Sequence, residues 1–125
     1  MKKIYYHKLI RDGVAESMKK KGIAFETKKL NKIQFEKALL AKVVEEAGGI
    51  QNAKTRKELM HEICDVLAVI ESIIEQKRIN FFKELRAVWK ENIKQKGRFN
   101  NRLWLIWSAD NGYKTNEKKG AKKFK

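Results

Sequence analysis

Between Arg56 and Lys77, the residues Leu59, Ile63, Val66, Leu67, Ile70, Ile73 and Ile74 recur at three- and four-residue steps, the period of one broad helical face. A strand would alternate every second residue, and no proline occurs anywhere in the chain to break a helix. Thr55, with Glu58 three residues later, has the spacing of a capping box at the helix start. The stripe therefore predicts a core helix over residues 56 to 77, which must bury its apolar face against other helices.

The same signals predict three more helices. Residues 13 to 21 end at Gly22, a residue suited to the left-handed turn after a helix. Asn31 is placed to cap residues 32 to 48, where Ile33, Leu40, Val44 and Ala47 recur at helical spacing beside Phe35, Leu39 and Val43, and Gly48-Gly49 should stop or fray that helix. Asn80 is placed to cap a helix running to Lys96, with Phe82, Leu85, Val88, Trp89 and Ile93 inward and Gly97 as its end. Two segments read as strands: residues 24 to 30, and the aromatic and branched run of residues 102 to 108, with which they are expected to pair. From Asp110 on, Tyr113 and Phe124 are the only large apolar groups, too few to offset the entropy of ordering the chain. The expectation is one all-α domain over residues 1 to 108, a bundle of about four helices with a small accessory β pairing, followed by a disordered, lysine-rich tail over residues 109 to 125.

A chain of 125 residues suits a single core. It has no apolar run of 18 residues, and its charged start lacks the apolar stretch of a signal peptide, so a cytoplasmic protein with no membrane partner is expected. The lone cysteine, Cys64, lies within the helical apolar pattern and reads as a small buried thiol. The net charge is +15; six lysines and one glutamate in residues 114 to 125 contribute +5, leaving +10 for the remainder. Such a field draws polyanions, including nucleotides and nucleic acid, without selecting among them.

Against that basic background, Glu45-Glu46 near the end of one predicted helix, and Glu62 with Asp65 three residues apart on the next, stand out. Glu62 and Asp65 flank core positions, where a facing helix can bring Glu46 close. Three gathered carboxylates repel one another unless a cation neutralises them, and oxygen-only ligands suit Mg²⁺ or Mn²⁺. Spacing alone leaves open a solvated acidic face paired with lysines and arginines. The segment HEICD invites comparison with the H-E-x-x-H zinc motif, but Asp65 stands where that motif has its second histidine and no third ligand follows, so His61 reads as a polar neighbour of the acidic pair.

The order of several motifs adds to this. YHKLIRD near the start resembles the Y-N-K-L-V-R-D opening of a branch of the MazG and phosphoribosyl-ATP pyrophosphatase superfamily. VVEEA followed by HEICDVLAVIE resembles its L-V-E-E-A-x-E and E-E-L-x-D-V-L-E-V-I segments, and KGRFNNRLWL its closing R-G-G-F-x-x-R-I-F-L. The match runs from residue 5 to about 107. It implies an all-helical dimer or tetramer that hydrolyses a nucleoside triphosphate, or a related nucleotide, to the monophosphate and pyrophosphate. It also implies Mg²⁺ held by Glu46, Glu62 and Asp65, with Glu45 as the accompanying acid of the catalytic set. Lys8 and Arg11 match the opening motif, Lys96 and Arg102 the closing one, and all four become candidate substrate contacts. Three positions depart from the pattern: the fourth acidic ligand falls on Gly49, R-D-K-I-P is RDGVA, and the second glycine of R-G-G-F is Arg98. The alternative is a protein that kept the helical fold, lost turnover and binds nucleotide or nucleic acid through its basic surface and tail. Trp104 and Trp107 beside Arg102 then either stack on bases or serve as core residues.

Overall fold

A computed structural model describes residues 1 to 113. Among them lie four α-helices, α1 (Asp12–Lys20), α2 (Lys32–Asn52), α3 (Arg56–Gln76) and α4 (Arg86–Lys96), the last preceded by a π-helical turn at Phe81–Leu85. Close contacts divide the chain after Ala87 into two units.

In the first unit, local chemistry sets the helix ends. Asn31 accepts a hydrogen bond from the Gln34 amide at 2.9 Å while the Gln34 side chain accepts from the Asn31 amide at 3.1 Å, a complete capping box. At α3 the Thr55 hydroxyl accepts from the Glu58 amide at 3.1 Å, but the Glu58 carboxylate reaches one residue further back, to the Lys54 amide at 2.8 Å. α1 ends as expected at Gly22, with φ +68 and the Ile23 amide bonded to the Met18 carbonyl. α3 ends on the same pattern, Ile79 to Ile74 and Arg78 to Glu75, yet the left-handed residue is Arg78, at φ 53.

α2 and α3 form the centre of this unit. Residues 53 to 55 join them, and an ion pair from Lys77 at one end of α3 to Glu36 near the start of α2, at 3.1 Å, fixes them as antiparallel. Leu39 and Val69, one from each helix, are the buried apolar residues among those described. α2 does not stop at Gly48-Gly49, as the sequence suggested, but runs on to Asn52. Two mid-helix glycines cost about 2 kcal/mol of intrinsic propensity, and packing against α3 outweighs it.

Other expectations change. Among the described residues no strand forms; residues 24 to 30 and 102 to 108 have no regular secondary structure. Their β propensity had no paired partner to act on. Cys64 is exposed rather than buried, because it lies on the side of α3 turned away from α2. In the second unit, Ile93 is half-buried, but Val88 and Trp89 of α4 are exposed, as are Phe99 and the run Leu103 to Trp107. Gly97 ends α4 at φ +73 as expected. Residues 109 to 113 form a turn in which Ser108 Oγ accepts from the Tyr113 amide at 3.1 Å. The rest of the predicted disordered tail, residues 114 to 125, lies outside the described residues.

Candidate metal centre

Glu46 on α2 and Glu62 and Asp65 on α3 each offer a carboxylate oxygen, and the three oxygens lie within 4.8 Å of one another. The α2–α3 pairing brings them together: Glu46 is one turn before Gly49, and Glu62 and Asp65 are on successive turns facing it. All three side chains are half-buried.

Gly49, where the resemblance places a fourth ligand, lies in this cluster. A Cβ built on Gly49 would run into the Glu62 carboxylate, with the Glu62 Cδ 2.9 Å away. The missing side chain thus leaves the space that Glu62 fills, letting its carboxylate lie against the α2 backbone. Gly48, beside it, meets nothing within 4 Å.

Basic groups ring the acids. Lys42 Nζ lies 3.0 Å from Glu45 and 3.5 Å from Glu46, and its side chain is only 12% exposed. From the N-terminal segment, Lys8 donates to Glu45 at 2.9 Å and Arg11 Nη1 to Asp65 at 3.4 Å. Lys8 also lies 5.7 Å from the Tyr6 ring centroid. The hydrogen bond from Lys8, then that from Lys42, holds the Glu45 carboxyl below its ordinary pKa, and the bond to Glu45 holds Lys8 above its own. Glu45 is therefore engaged by two cations and is not one of the three converging acids.

The structure brings Arg11 to Asp65 of the acidic cluster and Lys8 to the neighbouring Glu45, as contacts of the acids themselves. Lys96, the last residue of α4, and Arg102, at φ 54, belong to the second unit and are exposed there. Lys42 was not singled out from the sequence, although its three- and four-residue spacing to Glu45 and Glu46 is the pattern of helical ion pairs. His61 is exposed and joins no metal-competent cluster among the described residues.

The donor set fits a hard cation. Mg²⁺ holds oxygens at about 2.1 Å in an octahedron, so its ligands stand roughly 3 to 4.2 Å apart. Oxygens within 4.8 Å of one another lie close to that spacing. Comparisons with protein-family models, with curated proteins and with solved structures find no match. No helix among the described residues is long and apolar enough to cross a membrane.

Proposed function

We propose that this chain is a Mg²⁺-dependent nucleotide pyrophosphohydrolase of the MazG-like type, cleaving a nucleoside triphosphate or related nucleotide to the monophosphate and pyrophosphate. One observation carries the reading: three carboxylate oxygens from two adjacent helices converge within 4.8 Å on half-buried positions of a chain with a net charge of +15. Glu46, Glu62 and Asp65 would hold the ion, or Mn²⁺ in its place, and when bound it draws negative charge off the polyphosphate. Glu45 keeps Lys8 and Lys42 beside the site. Lys8 lies on the non-helical N-terminal segment and Arg11 is the N-cap residue of α1, and each can exchange its carboxylate partner for a phosphate oxygen when an anion arrives. Lys96 and Arg102 remain candidate contacts from the closing motif. Assembly into a homo-oligomer and a cytoplasmic location belong to the same reading.

A second reading is favoured by the ion pairs themselves. Lys42 and Arg11 already pair with Glu46 and Asp65 of the cluster, and Lys8 with the neighbouring Glu45, so the fold depends less on a metal to tolerate the gathered acids. Together with Gly49 and the strong positive charge, this describes a catalytically inactive relative that binds nucleotide or nucleic acid electrostatically.

Pyrophosphate release over a panel of nucleotides, with and without Mg²⁺ and beside Asp65→Ala, separates the two. Metal-dependent release abolished by the substitution supports the enzyme. No release on any nucleotide, with salt-sensitive nucleic-acid binding, supports the binding protein.

A further inference from the structure

Lys42 is more enclosed than the apolar residues around it on α2. Its side chain is 12% exposed, whereas Ile33, Leu40 and Val44 are each at least 57% exposed. The Lys42 ammonium faces two carboxylates at once, Glu45 Oε2 at 3.0 Å and Glu46 Oε1 at 3.5 Å. The other oxygen of Glu45, Oε1, accepts from Lys8 at 2.9 Å, so the two lysines do not compete for one atom. Charges therefore alternate from the N-terminal segment to the acidic cluster, in the order Lys8, Glu45, Lys42, Glu46, and Glu46 alone of these belongs to the three converging acids.

Glu46, Glu62 and Asp65 carry three negative charges, and Lys42 and Arg11 bring two positive ones to them. A divalent cation supplies the same two charges, so exchanging the side-chain cations for one ion leaves the cluster's net charge unchanged. The exchange is forced by distance: an ion about 2.1 Å from Glu46 Oε1 lies no farther than about 5.6 Å from the present position of the Lys42 ammonium, and the two cations repel. Arg11 is 67% exposed and can leave Asp65 for water. Lys42 has little access to water, and an enclosed ammonium without a partner is costly. Glu45 is the carboxylate already in contact with it.

We propose, on the metal reading of the cluster, that Glu45 is a positioning residue: it takes over the Lys42 ammonium when a divalent cation takes Glu46. Glu45 ligates no ion in this arrangement and acts through Lys42. Before the ion arrives, Lys42 bridges Glu45 and Glu46 and offsets the repulsion among the gathered acids. Afterwards it rests on Glu45 alone, clear of the ion and beside the edge of the site where Lys8 is also held. Without Glu45, Lys42 has Glu46 as its sole carboxylate and contests the site with the metal.

The test is a double-mutant cycle on Mn²⁺ affinity, read by electron paramagnetic resonance of the free ion with the full chain and no nucleotide, circular dichroism confirming the helices of every variant. Glu45→Gln weakens Mn²⁺ binding about fivefold or more, although it removes no ligand. Lys42→Met tightens binding, and added to Glu45→Gln it restores at least the wild-type affinity, so that in its background Glu45→Gln costs less than about twofold. Glu36→Gln, which takes the same charge from the same helix beside Lys77, stays within about twofold of wild type. Additive effects in the cycle, weaker binding in Lys42→Met, or a loss in Glu36→Gln equal to that in Glu45→Gln overturns the role of Glu45 and leaves the metal reading standing. A wild-type chain that takes up no Mn²⁺ overturns both.

Discussion

The carboxylate of Glu62 lies over Gly49, in the space where a side chain at that position would begin. The relationship turns an apparent loss in the metal-ligand pattern into a packing feature: glycine in the middle of α2 lets an acid from α3 approach the backbone and converge with Glu46 and Asp65. The neighbouring Gly48 has no such role, since open space surrounds it.

The two glycines therefore separate helix propensity from site geometry. Gly48→Ala should raise stability by about 0.5–1 kcal/mol, the helix-interior difference between the two residues. Gly49→Ala has the same intrinsic gain but forces the Glu62 side chain to swing away, so its stabilisation should be smaller and its Mn²⁺ affinity several-fold weaker than that of Gly48→Ala. Urea denaturation and Mn²⁺ titration by electron paramagnetic resonance check both. Equal metal affinities in the two variants would disprove the role assigned to Gly49.

Neutralising one converging acid should have opposite effects on stability and on metal binding. Glu62→Gln keeps the shape while relieving repulsion from Glu46 and Asp65, so it should leave metal-free stability unchanged or raise it by up to about 1 kcal/mol. The Mg²⁺ concentration required for a given rise in Tm should increase at least tenfold. A variant that responds to Mg²⁺ as the wild type does removes Glu62 from the ligand set.

The Lys8–Glu45 pair has a defined pH window. Glu45 is held below its ordinary pKa, so its contribution is present above the unfolded-state value and is lost as pH falls through the lowered folded value. Lys8 is held above its own, so its contribution is present below the unfolded-state value and is lost as pH rises through the raised folded value. Both side chains are more than a third exposed, so the pair should be worth only a few tenths of a kcal/mol. Lys8→Met should be slightly less stable than wild type between those limits and indistinguishable from it in acid. A difference that grows on acidification would contradict the assignment.

Arg78 holds a left-handed conformation at the end of α3 that glycine adopts without steric cost. Arg78→Gly should raise stability by about 1 kcal/mol, a shift in Tm of several degrees for a domain of this size. Differential scanning calorimetry reads it directly, and a lowered Tm would show that the arginine side chain contributes more than its backbone strain removes.

How the site was legible differs residue by residue. Glu62 and Asp65 could be placed on one helical side from their spacing, and Thr55, Asn31 and Asn80 could be recognised as caps, because these relationships span three or four residues of one helix. Lys42 had the same local signal and was passed over among 30 basic residues. The contacts of Lys8 with Glu45 and of Arg11 with Asp65 cross 37 and 54 residues of sequence, and no local period encodes them. Gly49 was readable only as a departure from a pattern until Glu62 was seen beside it.

By itself, the sequence determined the four helices, most of their caps and the apolar stripes, since hydrogen bonding within a turn and the 3.6-residue period are properties of neighbouring residues. Tertiary structure decided that α2 continues through its glycines, that Ile33, Leu40 and Val44 face outward, and which cations neutralise which acids. Those outcomes depend on which face of one helix meets another, a choice made by packing over the whole hairpin.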